Sequence, residues 1–266
     1  SNINQRLKLA AIKIKNAKKK GKSDSELRQI KKEELKKIYK MLVFHLGVPP
    51  EKFEFRYKSD QNEVKEYTPL EFAKEFVFED LDKYVALTNY PSRKTNTLYQ
   101  FDADSMESMN VVGAKPETFL NVGLATMKII TLRSVLTDAP VWFAASVFND
   151  ADVKKGILNA DLYNYSEIYG VNIKTDKATN TLIKSVGTSH AMVVVGVDMK
   201  KDKIIKWKVE NSWGAEYGQK GFFAMYDNWF DAYVLEVVVK KSYLTLELLN
   251  CLKQKPTIIK WDEPMP

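Results

Sequence analysis

The chain has 266 residues, 45% hydrophobic and 28% charged, with a formal net charge of +7. This is ordinary globular composition and enough length for one large domain or two smaller ones, which excludes a low-complexity or fibrous chain. No apolar run approaches the length of a bilayer span, so the chain reads as soluble with no membrane partner, and its single cysteine excludes an intrachain disulfide framework and fits a reducing cytoplasm.

Residues 3–20 are predicted to be helical, with Leu7, Ala10, Ala11 and Ile14 on one face and Gly21 as the stop. Ser23-Asp24-Ser25-Glu26 is a capping-box pattern that opens a longer helix. Its stripe is Leu27, Ile30, Leu35, Ile38, Leu42 and Leu46, and Gly47 with Pro49-Pro50 ends it. His45 falls in the last turn, where the helix dipole favours a cation, and reads as structural rather than as a ligand. The positive charge is concentrated in this region, in Lys13, Lys15, Lys18, Lys19, Lys20 and Lys22 and again in Lys31, Lys32, Lys36, Lys37 and Lys40. A nucleic-acid or acidic-surface patch is one reading. A solvated helix face is the other, and it is preferred because no recognised nucleic-acid motif accompanies the lysines.

Phe53 to Tyr57 alternates as an amphipathic strand, Ser59 to Asn62 is turn-like, and Val64 to Tyr67 returns as a hairpin partner. Thr68-Pro69-Leu70-Glu71 starts another helix, with a cap, Pro at the first helical position and a Glu closing the box. Residues 89–110 are polar, with turn residues at Asn89, Pro91 and Ser92, and read as a long connection between a mostly helical first part and a mostly β second part.

Beyond it, residues 121–136 read as a helix and Pro140 to Val147 as an apolar strand buried on both faces. Residues 150–186 are loop-rich. Strands follow at 190–197 and 204–211, then Phe222 to Met225 and Tyr233 to Val239, and Leu244 to Lys253 is a short helix. There is no internal repeat, and Gly214, Gly218 and Gly221 are loop glycines rather than a phosphate cradle, so no cofactor is expected.

The stretch with chemistry is Ser189-His190-Ala191-Met192-Val193, followed on the next strand by Trp207-Lys208-Val209-Glu210-Asn211-Ser212-Trp213-Gly214. A charged turn, Lys200 to Lys203, would set the two strands side by side. A histidine oriented by an asparagine, with indoles keeping water away, is half of a cysteine-nucleophile site. Trp207 reads as core packing. Cys251, the only cysteine, sits among Leu248, Leu249 and Leu252 at helical spacing and reads as an ordinary packed residue, because a reactive thiolate needs an electropositive, accessible setting. Counting back roughly 130–150 residues from His190, where a papain-type cysteine would stand, meets no cysteine. A serine triad would need a Gly-x-Ser-x-Gly elbow, and none is present.

These residues give the chain a resemblance to the bleomycin hydrolase / aminopeptidase C family of papain-like cysteine peptidases, along nearly the whole length. The most specific matches are Ser189 to Val193, Lys206 to Gly214 and Asp227 to Val234; weaker ones are Asn110 to Gly113, Pro140 to Phe143 and Lys155 to Leu158. The resemblance implies an α+β fold: the β-barrel half of the papain-like fold at 111–256, a helical insertion region at 3–88, the connection at 89–110 and a C-terminal arm at 257–266. It implies that His190 is the general base, Asn211 its orienting partner and Trp213 the shield of their hydrogen bond. The nucleophile is expected before residue 1, so the chain reads as a C-terminal portion, inactive alone.

By the same resemblance the substrate is a peptide shortened from its N-terminus, the setting is cytoplasmic, and the partners are the missing N-terminal catalytic half and further copies in a hexamer. The tail, Lys260-Trp261-Asp262-Glu263-Pro264-Met265-Pro266, keeps Trp-Asp and Pro-Met but lacks the family's final small residues, which bears on strict aminopeptidase specificity. A non-catalytic binding or scaffold relative is the alternative.

Overall fold

A computed structural model describes residues 2–56, 64–77, 79–102 and 116–259. It divides into two compact units, Ser1–Glu79 and Asp80–Pro266. The turn expected at Ser59 to Asn62, the match at Asn110 to Gly113 and the tail from Lys260 lie outside the described residues.

The first unit begins with helices α1 (Asn2–Lys19) and α2 (Asp24–Leu46). The predicted capping box is formed: the Ser23 hydroxyl accepts from the Glu26 amide, and the Glu26 carboxylate accepts from the Ser23 amide. Ala10, Ala17 and Ile38 are buried, but Leu35, Leu42 and Leu46 of the predicted stripe stay exposed. The two helices are tied by Glu34, only 2% exposed, whose carboxylate accepts from Arg6, Lys13 and Lys37 at 2.5, 2.8 and 2.8 Å. Hydrogen bonds from Lys13 and Lys37, with the nearby Arg6 charge, hold its carboxyl down at about 2. Two of the lysines read as surface charge, Lys13 and Lys37, therefore stay more than half exposed while pairing with a buried carboxylate.

Next come β1 (Phe53–Arg56) and β2 (Val64–Tyr67), an antiparallel pair, and α3 (Pro69–Phe76) with its Thr68/Glu71 capping box. Phe72 and Phe76 of α3 stack at 4.6 Å and meet Phe55 edge-on at 4.8 and 5.3 Å, so an aromatic cluster holds helix to hairpin.

The second unit is built on one sheet. Its elements in chain order are β3 (Tyr84–Thr88), β4 (Thr97–Phe101), β5 (Thr118–Asn121), α4 (Leu124–Leu136), β6 (Val141–Ala145), β7 (Ala151–Asp152), β8 (Ile157–Leu158), α5 (Tyr165–Tyr169), α6 (Lys177–Leu182), β9 (His190–Lys200), β10 (Lys203–Glu210), β11 (Phe222–Tyr226), α7 (Asp227–Tyr233), β12 (Val234–Lys240), α8 (Leu246–Cys251) and β13 (Thr257–Ile259). The strand order is β13-β4-β5-β3-β12-β6-β9-β10-β11-β8-β7. The run from β3 through β12, β6, β9 and β10 to β11 is antiparallel throughout. Alternate residues point to one face: Leu235, Val237 and Val239 on β12, Val141 and Phe143 on β6, Met192 and Val194 on β9, all buried. Met127 and Ile130 of α4 join that core.

Four expectations change. The break falls at Glu79/Asp80, not at residue 88, because β3 pairs with β12 and β5 inside the sheet. Residues 89–102 are not a plain connection: 97–101 is a strand, and the turn before it is pinned by buried Asn121. That side chain accepts from the Tyr90 amide at 2.8 Å and donates to the carbonyls of Tyr90, Arg93 and Lys94. Strand β6 is not buried on both faces, since Trp142 is 41% exposed. Among the described residues the ladder has two ends, β13 and β7, so hydrogen bonds do not close it into the barrel the resemblance implies.

The Asp227 to Val234 segment, singled out by its match, is α7 and the first residue of β12. Asp227 and Asp231 flank the Lys128 ammonium at 2.6 and 2.9 Å, the Trp229 indole donates to the Asn149 carbonyl at 2.8 Å, and the Tyr233 hydroxyl bonds Asp150. The segment thus clamps α4 and the loop after β6 to the sheet.

Candidate active site

His190 is the first residue of β9, and its position is set from both flanking strands. It pairs with Ala145 on β6, while on the other side Val193 and Val194 pair with Glu210 and Val209 of β10. Ser189 fastens the strand start. Its amide donates to the Ala145 carbonyl at 3.0 Å, and its hydroxyl accepts from the Val147 amide at 3.0 Å. The β9–β10 turn that brings the two motifs together contains Lys201 and Asp202, both in the left-handed region at φ 48° and 61°. Asn211 lies one residue past β10, a diagonal neighbour of His190 on the same face of the sheet, within side-chain reach.

The expected pair is formed. His190 Nε2 is 2.9 Å from Asn211 Oδ1. The same oxygen accepts from the Ser212 amide at 2.8 Å, and this identifies it as the amide oxygen. An amide oxygen can only accept, so Nε2 carries the proton and the lone pair of the neutral imidazole sits on Nδ1. Among the described residues nothing hydrogen-bonds to Nδ1, the nitrogen a general base would use. Asn211 is 9% exposed, and its Nδ2 is buried without an acceptor among the described residues. Its own amide donates to the Gly221 carbonyl at 3.0 Å, which closes the loop that carries Trp213.

Trp213 stands where the sequence suggested. Its indole stacks on the His190 imidazole with centroids 4.6 Å apart and planes inclined by 29°. Tyr217 and Phe223 meet the indole edge-on at 5.8 and 6.1 Å, and Phe148 stacks on it at 5.9 Å. Gly214, at φ 105°, makes the turn just beyond it. Trp207 is fully buried, stacked on Phe230, and is core as expected. Phe148, Ser189, Tyr217 and Phe223 are members of this site given no role from sequence. Phe148 follows an apolar strand, and nothing local marks it as a stacking partner.

The only cysteine is not part of this arrangement. Cys251 is 6% exposed, at the end of α8, within the hydrophobic core. His45 closes α2 and packs edge-on against Phe44 at 5.3 Å. The described site therefore has an imidazole held by an asparagine amide and stacked under an indole, with no thiol beside them.

The chain is 38% identical over 240 residues to aminopeptidase G of Lactobacillus delbrueckii subsp. lactis, covering 89% of this chain and 54% of that protein. It is 34% identical over 266 residues to aminopeptidase C of Listeria innocua, covering 99% of this chain and 59% of that protein. Among solved structures, that of PepW from Lactobacillus rhamnosis HN001 matches with a TM-score of 0.90 and 32% identity, over 98% of this chain and 60% of that one. The chain thus spans little more than half the length of the relatives it matches. The family model described as "Peptidase C1-like family" matches residues 1–266, and with these relatives it shows that the chain belongs to the Peptidase C1-like family, of the aminopeptidase C and bleomycin hydrolase type.

Proposed function

We propose that this chain supplies the general base and its orienting partner to a cysteine aminopeptidase that removes N-terminal residues from peptides. The nucleophile would come from a segment corresponding to the part of the relatives that this chain does not match. The observation that carries the reading is the His190–Asn211 hydrogen bond beneath Trp213, with Nδ1 left as the basic nitrogen.

In this reading His190 Nδ1 takes the thiol proton, and the thiolate attacks the scissile carbonyl. The imidazolium then gives that proton to the departing amine as the C–N bond breaks, leaving a thioester. Water, deprotonated by the same nitrogen, releases the acid and restores the thiol. Asn211 keeps the ring in one tautomer and one plane through both transfers. A cytoplasmic setting and hexameric assembly belong to the same proposal.

The test is complementation. Assayed on an aminoacyl fluorogenic substrate, the chain alone should be silent. Adding a separately expressed, cysteine-bearing N-terminal half of an aminopeptidase C relative should give turnover that iodoacetamide abolishes. Thiol-sensitive turnover by this chain alone would overturn the account.

A further inference from the structure

Lys177, the first residue of α6, sends its amine end to the sheet. Nζ donates to Asn89 Oδ1 at 2.9 Å and to the Val234 carbonyl at 2.5 Å. Burial pushes the amine down to about 7 from 10.5, against the attraction of Asp231. A buried lysine is costly, and an apolar side chain would fill the same space without that cost. The two acceptors show what the amine holds.

Val234 stands at an irregularity in the ladder. It pairs with Ala145 of β6, whereas Glu236 pairs with Ala144, so Leu235 is an extra residue on β12. Such a bulge interrupts the ladder and bends its strand. The carbonyls on either side are taken by backbone amides: Tyr233 accepts from Ser146 at 3.1 Å and Leu235 from Asn89 at 2.8 Å. The Val234 carbonyl between them is held by Lys177.

Ala145 in turn pairs with His190 on β9. Val234, Ala145 and His190 therefore form one row across three neighbouring strands, its ends about 10 Å apart. Lys177 also reaches His190 along the chain, because α6 is the last helix before β9. Leu182, the one large apolar residue of α6, is 70% exposed, and Ile183 after it is 62% exposed. The helix is thus tied to the sheet by the amine rather than by an apolar face.

We infer that Lys177 is a positioning residue for His190: it caps the bulge at Val234, tethers α6, and so fixes the strand row from which the imidazole meets Asn211. Lys177 touches no reacting atom. Only its effect on turnover rests on the catalytic reading above.

K177M keeps an unbranched stem and removes the amine. In the chain alone, nitrogen-detected NMR should show the His190 Nε2 proton exchanging at least about 10-fold faster, and in the complemented enzyme kcat should fall about 10-fold with KM within about 2-fold. Rescue separates the amine from general loosening. K177C in a C251A background, alkylated with bromoethylamine while unfolded and then refolded, carries a lysine isostere at that position. It should bring both values back to within about 3-fold of C251A. Circular dichroism checks folding. If K177M does not fold, N89A, which removes one of the two acceptors, should still quicken the exchange at least about 3-fold.

A lower urea midpoint with His190 exchange unchanged, in K177M or N89A, would make Lys177 a support of the fold alone and overturn the inference. A loss of kcat that the refolded, alkylated chain does not regain would overturn it too. The two readings fail separately. An unresponsive His190 signal in a chain that hydrolyses when complemented removes the positioning role alone. A responsive signal without thiol-dependent turnover in the parent removes the hydrolytic role alone.

Discussion

His190 and Asn211 meet through Nε2 and Oδ1 at 2.9 Å, and a backbone amide on that same oxygen fixes the direction of the bond. One proton is thereby assigned to one nitrogen. N211A should release the ring from that tautomer. Nitrogen-detected NMR of the chain alone should then show the His190 Nε2–H signal weakened by exchange. In the complemented enzyme kcat/KM should fall about 10²-fold or more, within the range of general acid–base contributions. An unchanged tautomer and rate would remove Asn211 from its role.

W213A takes away the ring stacked on the imidazole and opens the His190–Asn211 hydrogen bond to water. The expected outcome is faster exchange of the Nε2 proton and a loss of kcat/KM smaller than that of N211A. Because Trp213 touches Phe148, Tyr217 and Phe223, a stability cost of about 3 kcal/mol is expected as well, measured by urea unfolding.

Cys251 offers a counter-test. Buried at the end of α8, it should react slowly with iodoacetamide in the folded chain and quickly in denaturant. C251A should leave turnover of the complemented enzyme unchanged and cost about 1 kcal/mol in stability. Loss of activity in C251A with stability intact would mean that the thiol chemistry had been misplaced.

Glu34 makes the first unit sensitive to acid. Its carboxyl is held at about 2, chiefly by hydrogen bonds from Lys13 and Lys37, whereas it titrates near 4.5 when free. Between those values the unfolded chain binds more protons than the folded one, so stability is full above pH 4.5 and is lost as the pH falls toward 2. Acid titration followed by the helical circular dichroism signal should show this loss. E34Q should flatten it and leave the α1–α2 pair weaker at neutral pH.

Glu236 has the opposite sign. Burial on β12, with Glu117 nearby, raises its carboxyl to about 7 from 4.5. The folded chain binds more protons across that window, so stability falls as the pH rises from 4.5 through 7. The span corresponds to about 3 kcal/mol as an upper figure. E236Q should therefore unfold at higher urea than the parent at pH 8, with the difference vanishing near pH 4.

Much of this was legible in the sequence where local chemistry decides the outcome. The Ser23/Glu26 and Thr68/Glu71 boxes start helices where they were read, since capping depends on residues three apart. The His190/Asn211 pair was legible because two strands joined by a tight turn bring their residues together. What stayed hidden depends on distant partners. Strand β4 lies in a polar, turn-rich stretch and exists because Asn121 gathers the preceding loop and β5 and β13 pair on either side. Phe148 reaches Trp213 only through the fold.

Strand β9 runs for 11 residues through the middle of the sheet, with His190 at its first position. Its imidazole is thus anchored by a ladder and a core that this unit already possesses. On the function proposed above, the segment that brings the thiol would meet a preorganised template. Its arrival would be rigid-body docking, with little ordering entropy left to offset, and activity should appear as fast as the two parts find each other.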